Sequence, residues 1–253
     1  VTLQKLIDGA VAGTVVELPA GSYNEQVALR SNVTVRGYGV TLLGAAGSAV
    51  LVPAGCVNGA ILGAAVRGGD RGVTFSDKMG QVGIVLRDLV ITDTADTAII
   101  DQGNGTLIDG CHIANAGHAA GSPTYGVHGV YAKGANVVIR GSSVERCRDS
   151  GISLRREGAD VSTTEIRSSG DGLQILDQFQ APGKVTIHST VRVVAQDGHG
   201  CVYVQETKSV YPVAITVCAR MVSLGGGTRA LNAKRPITNQ TVHVGSFSQP
   251  DVV

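Results

Sequence analysis

Tryptophan is missing from this chain, aromatic residues make up only 4% of it, and charged residues only 16%, against ~25% in an ordinary soluble domain. A core assembled around large rings is therefore excluded, and long helices with solvated charged faces are disfavoured. The formal net charge is +1, so no global field draws the chain to nucleic acid or to an anionic membrane. No apolar run approaches the ~18–20 residues of a membrane span. The sequence opens with Val1-Thr2-Leu3-Gln4, without a basic n-region or signal-like apolar stretch. The five cysteines (Cys56, Cys111, Cys147, Cys201 and Cys218) show no metal-type spacing. They read as buried free thiols serving as small apolar residues, with one disulfide as the alternative. No aspartate cluster of metal-binding type is present, so neither a metal nor a cofactor is expected.

What is abundant is glycine, 35 residues of 253, roughly twice ordinary usage. The core must be filled by Val, Ile, Leu and Ala, which suit strands and a narrow interior. One phrase recurs: Ser31-Asn32-Val33-Thr34-Val35-Arg36-Gly37 matches Ala135-Asn136-Val137-Val138-Ile139-Arg140-Gly141. Weaker copies begin at Gly83, Thr106 and Val185. Each phrase is a short strand closed by a turn, and a second short strand follows, marked by Ile91, Ile113, Val144 and Ile166 at steps of 22, 31 and 22 residues. A third strand then begins near a glycine, as in Gly129-Val130-Tyr131-Ala132-Lys133, Gly151-Ile152-Ser153-Leu154-Arg155 and Gly172-Leu173-Gln174-Ile175-Leu176. Gly200-Cys201-Val202-Tyr203-Val204-Gln205 and Ala230-Leu231-Asn232-Ala233-Lys234 continue the series. One such unit cannot bury its own apolar positions, whereas stacked units bury them in a continuous column. The expectation is an all-β parallel solenoid of about nine coils, in one domain over residues 1–253.

Leu3, Leu6, Ile7 and Ala10 have helical spacing, so residues 1–13 are expected to form a capping helix. The strand Val15-Val16-Glu17-Leu18-Pro19-Ala20-Gly21-Ser22-Tyr23 follows it. Helix plus strand resembles the opening of the pectate-lyase-like right-handed parallel β-helix superfamily, in which the helix covers the open end of the column; capping guards an exposed coil edge. Residues 44–83 fit the repeat worst and read as an elongated coil with a projecting loop, carrying Arg67, Asp70, Arg71, Asp77 and Lys78. Residues 117–126 read as a loop insertion over the strand face, carrying His118, Pro123 and Tyr125.

Stacking the third strands with Val130, Ile152, Leu173, Val202 and Leu231 inward places Tyr131, Ser153, Gln174, Tyr203 and Asn232 in one outward row. Lys133, Arg155, Leu176, Gln205 and Lys234 form the next, headed by Asp101 if Ile100 points inward, and Ile99 then points outward. Arg156, Asp177, Glu206 and Arg235 lie just beyond. A polar outer face is also what solubility alone requires. Tyrosine rings beside amides, however, present ring faces and paired donors and acceptors suited to sugars.

The superfamily resemblance implies action on an acidic, uronate-containing polysaccharide by β-elimination or C5 epimerisation. Lys133, Arg155 and Lys234 are candidates to neutralise the C6 carboxylate, Lys133 or His128 to act as base, and Tyr131 as acid. Tyr125-Gly126-Val127-His128 resembles a site segment of mannuronan C5-epimerases, though its Asp-Pro is missing. With Asp177, these supply the catalytic candidates; Asp101, Tyr125, Ser153, Arg156, Gln174, Tyr203, Gln205, Asn232 and Lys234 are the substrate-binding ones. His199 has a claim similar to that of His128, and His112, His188 and His243 a weaker one. Glycoside hydrolysis, which needs two carboxyl groups, would draw on Asp171, Asp177 and Asp101. In that reading Gly170-Asp171-Gly172 followed by Gly198-His199-Gly200 is similar in order to polygalacturonase motifs. A non-catalytic polysaccharide-binding module of the phage tail type is the third reading. No nucleic-acid or membrane partner is expected. A homo-oligomer is open, a trimer if tail-spike-like, and the analogy favours an extracellular or virion-associated location.

Overall fold

A parallel coil must turn three times per repeat, and in much of the chain the sequence places a residue tolerant of positive φ at the turn that leads into the first strand. Asn32, Asn58, Gly83, Gly105, Asn136 and Gly158 occupy this position in six successive coils, with φ between 53° and 80°. The computed structural model describes residues 2–44, 47–76, 80–118, 122, 126–168, 170–176, 178–195, 200–205, 213–223, 229–233 and 240–244. Within these residues the strands form three sheets in which every pairing is parallel. The first strand of each coil belongs to a ten-stranded sheet running from Val15–Glu17 to Gln240–Val244. The second and third belong to nine-stranded sheets ending at Arg220–Ser223 and Arg229–Ala233. This is the parallel β-helix of the repeat. No helix among the described residues is long and apolar enough to cross a membrane.

The irregular 22, 31 and 22 beat resolves into one register: Ile91 pairs with Ile113, Ile113 with Val144 and Val144 with Ile166. Each is at most 1% exposed, which at full burial contributes roughly 1.5–3 kcal/mol per side chain. The N-terminal helix is shorter than 1–13, spanning Leu3–Asp8. Thr2 caps it by accepting from the Lys5 amide, and Leu3 and Ile7 are buried against the first coils. Residues 44–83 are not one elongated coil. They contain Ser48–Val52, Ala60–Leu62, Ala65–Gly68 and Arg71–Phe75, strands of all three sheets in regular order. Their core positions are filled as elsewhere, by Val50, Val52, Ile61, Val66, Val73 and Phe75. Cys56, Cys111, Cys147 and Cys201 are buried outside any disulfide, as expected, whereas Cys218, also outside any disulfide, is exposed.

Simple alternation breaks at the start of the third strands. A Cβ built on Gly129 meets Val144 Cγ1 at 2.3 Å, one on Gly151 meets Ile166 Cγ2 at 2.3 Å, and one on Gly172 meets Val193 Cγ1 at 2.2 Å. All three glycines face the core, yet so do the next residues, Val130, Ile152 and Leu173, each 0% exposed. Two consecutive inward positions make a corner, and they bring the residue before each glycine onto the outer face three places from the tyrosine row. Replacing Gly151 by Ala is expected to lower unfolding free energy by about 1–3 kcal/mol through overpacking. Denaturant titration followed by circular dichroism checks this, and an unchanged midpoint contradicts the packing.

Candidate functional site

The third sheet carries two outward rows close together. One runs Tyr131–Ser153–Gln174–Tyr203 in direct register, with Asn232 paired next in the ladder, as alternation predicts; Ser153, Gln174 and Tyr203 are each at most 8% exposed. The other, created by the glycine corner, runs His128–Ser150–Asp171. His128 is the first residue of its strand rather than a residue of the preceding turn, and its ring lies 5.0 Å from that of Tyr131 between centroids. The imidazole Nδ1 is 2.6 Å from Ser150 Oγ, and the His128 amide donates to Thr97 Oγ1. Only 2% of His128 is exposed. Burial pulls its pKa down to about 4; Asp149 and Asp96 oppose this and Arg155 reinforces it. The ring is therefore neutral at pH 7.

Around Tyr131 stand two cations. Arg155 Cζ is 4.7 Å and Lys133 Nζ 5.3 Å from the ring centroid, within the range of cation–π attraction. Arg155 Nε also donates to Ser153 Oγ at 3.0 Å, and that hydroxyl donates to Gln174 Oε1 at 3.4 Å. Burial pulls the Arg155 guanidinium below its usual range, opposed by the charges of Tyr131 and Asp149. Among the described residues neither Arg155 nor Lys133 forms an ion pair. Elsewhere several arginines are matched, Arg36 with Glu17, Arg71 with Asp96, Arg87 and Arg140 with Asp109, Arg167 and Arg192 with Glu165, while Arg30 and Arg148 donate to backbone carbonyls.

Not every candidate joins this cluster. Ile99 pairs with Val130 and Ile100 with Tyr131, so Ile100 points outward, Ile99 is fully buried and Asp101 is turned into the core. Asp101 thus neither binds substrate on this face nor pairs there with Asp171 as a hydrolase would require. Arg156 points away along the turn, held by Glu157 through two bonds of 3.2 and 3.0 Å. Leu176, expected outward, pairs with Gln205 and is 8% exposed, as is Tyr203. Gln205 and Asn232 hold the register positions expected of them. Tyr125, Asp177, Lys234 and His199 lie outside the described residues, as does most of the insertion 117–126. The ends of that insertion are tied to the neighbouring coil: Arg148 donates to the carbonyls of Gly117 and Ser122, and the Gly126 amide donates to Asp149 Oδ2 at 2.8 Å. Asp149 and Ser150 were not singled out from the sequence. Their signal was their place before the strand glycine, which marks the corner. Among the described residues no group of three or more His, Cys, Asp or Glu side chains is placed to hold a metal ion.

Three parallel sheets wound in one column, with their polar cluster on the third, define the chain as a parallel β-helix protein. No family model and no curated protein matches it. Among solved structures it resembles the tailspike protein gp49 of Acinetobacter baumannii bacteriophage Fri1, a capsular polysaccharide depolymerase, with TM-score 0.57 and 10% identity over 98% of this chain. The chain spans 58% of that protein's length. It also resembles the Streptococcus pneumoniae surface protein and adhesin PfbA, with TM-score 0.51, 10% identity and coverage of 98% of this chain and 94% of the other. A Yersinia enterocolitica family 28 exopolygalacturonase gives TM-score 0.50 and 10% identity over 97% of this chain and 74% of its own. At such identity the likeness is one of fold.

Asp101 sits in the inward column, paired with Ala132. Its Oδ1 accepts from Thr106 Oγ1 at 2.7 Å and from the Gly103 amide at 2.9 Å, while Oδ2 has no hydrogen-bond partner among the described residues. Burial raises its pKa from 3.8 to about 6, although both hydrogen bonds favour the carboxylate. The folded state therefore prefers the neutral acid. As pH rises through the unfolded value, ionisation draws the equilibrium toward the unfolded chain, and the loss is complete above about pH 6. The shift corresponds to at most about 3 kcal/mol. Asp101→Asn is free of this effect, so its stability relative to the parent should rise between pH 4 and pH 7 and level off above. Urea titrations across that range measure it; a pH-independent difference contradicts the assignment.

Proposed function

We propose that the third-sheet face around Tyr131 binds an acidic, uronate-containing polysaccharide and acts on it by proton abstraction at C5, leading to β-elimination. The observation that carries this reading is the pair of cations, Arg155 and Lys133, that flank Tyr131 without ion-pair partners among the described residues. A partly buried guanidinium without a carboxylate is costly, and an anionic ligand that supplies one removes the cost. Arginine also matches a carboxylate with two parallel donors.

In this reading Arg155 holds the C6 carboxylate and, with Lys133, stabilises the negative charge that develops when C5 loses its proton. His128, neutral and against the tyrosine ring, is the proton acceptor. Tyr131 gives its phenolic proton to the glycosidic oxygen at C4 as that bond breaks, leaving a C4=C5 double bond on one product. Return of a proton to the opposite face of C5 before cleavage would give epimerisation instead. Two proteins that share the fold are named for polysaccharide breakdown, the tailspike depolymerase and the exopolygalacturonase, which fits the substrate class. Asp101's inward position removes one of the carboxyl groups that hydrolysis would need.

Incubation with alginate and polygalacturonate, following ultraviolet absorbance of unsaturated ends together with reducing ends, checks the reaction. Both signals should rise on at least one polymer and fall 10²–10⁴-fold in Tyr131→Phe, the usual range for loss of an acid–base group; Arg155→Ala should weaken binding. New ends without absorbance would mean hydrolysis, and binding without new ends a non-catalytic module. Failure to bind any uronate polymer overturns the proposal.

A further inference from the structure

The turn from third to first strand carries a groove of about 270 Å³ beside the Tyr131 cluster. We infer that this groove is a second sugar subsite, taking the next uronate of the same polymer, with its carboxylate on Lys133 and its hydroxyls on the amides of Gln102 and Asn104. The inference rests on the reading of the third-sheet face as an acidic-polymer site and extends it along the column.

Three observations carry it. First, Lys133 belongs to both places: its ammonium lies 5.3 Å from the Tyr131 ring centroid, and its side chain lines the groove. A polymer with one sugar at Tyr131 and Arg155 therefore reaches the groove at Lys133 without leaving the surface. Second, the charge in the groove amounts to one cation. Arg156 also lines it, but Glu157 takes up that guanidinium through two hydrogen bonds. Lys133 has no such partner among the described residues, so the groove matches a sugar bearing one carboxylate and several hydroxyls.

Third, the groove is preformed. It crosses the same turn in four successive coils, three inter-coil steps or ~14 Å. That turn is stitched by parallel bridges joining Val57 to Val82, Val82 to Asn104 and Asn104 to Ala135. Asn136 Nδ2 donates to Asn104 Oδ1 at 2.8 Å across the same step. Gly134, in the groove wall, admits no side chain: a Cβ there would lie 1.9 Å from the Gly103 carbonyl oxygen. A rigid backbone reduces the ordering cost of binding.

The test is calorimetric binding of oligogalacturonates and oligomannuronates of two to six sugars to the full chain, to Ala135→Trp, whose ring would fill the groove, and to Gln102→Ala. The parent should bind the longest oligomer at least tenfold more tightly than the shortest. Ala135→Trp should remove that gain while leaving the shortest oligomer within about twofold, and Gln102→Ala should reduce it in part. If the gain with length survives in Ala135→Trp, the subsite is overturned while the Tyr131 site stands. If no oligomer binds the parent, the reading of the face falls and the subsite with it. A circular dichroism spectrum and melting midpoint matching the parent establish that each variant is folded; should Ala135→Trp fail this, Ala135→Leu takes its place with the same outcomes.

Discussion

In-register parallel stacking is the constraint on which the rest of the structure depends. Each strand satisfies its backbone only through the coils on either side, and each side chain stands ~4.8 Å from its counterparts. Like therefore stacks on like unless the sequence alternates. On the first and second sheets it does alternate: Arg87, Asp109 and Arg140 share one ladder, and Glu165 and Arg192 another. Such exposed pairs contribute little individually, about 0–1 kcal/mol, and the alternation is incomplete, since Arg192 is followed in register by Arg220. The third sheet departs from this pattern around Tyr131, where Arg155 and Lys133 meet a ring and a hydroxyl in place of a carboxylate. The proposed binding of an outside anion rests on these two cations, which have no carboxylate partner among the described residues.

The coil rhythm and the register of the third strands were legible before any coordinates, because Val130, Ile152, Leu173 and Val202 repeat with the same neighbours and a period-two pattern fixes which side they face. The central row from Tyr131 to Asn232 followed from it. The second outward row did not. Strict alternation from Tyr131 sends His128 into the core, and only the requirement for a side-chain-free inward position at Gly129 reverses that. Glycine is ambiguous in sequence, since turns, bulges and close approaches all select it. Asp101 was misplaced for a related reason. An aspartate is read as exposed by default, whereas here the in-register pairing of Ile99 with Val130 leaves it no outward place. Arg156 lies just beyond the strand, as expected, and lines the turn groove with its guanidinium held by Glu157.

Burial acts alike on His128 and Asp101, disfavouring the charged form of each, so their pKa values move in opposite directions. Burial keeps His128 neutral and able to accept a proton, while burial of Asp101 opposes its ionisation. The acid lies just beneath the turn groove, its Oδ2 2.9 Å from where a Gly134 side chain would begin. An ionisable group whose burial opposes ionisation thus lies at the edge of the proposed substrate region.

The central claim, that unmatched cations on the third sheet select a polymer by its carboxylates, is tested most directly by chemical subtraction. One uronate polymer is offered at low salt before and after its carboxylates have been reduced to hydroxymethyl groups, with ring and linkage unchanged. Binding should be retained by the native polymer and lost by the reduced one; equal binding of the two would contradict the claim.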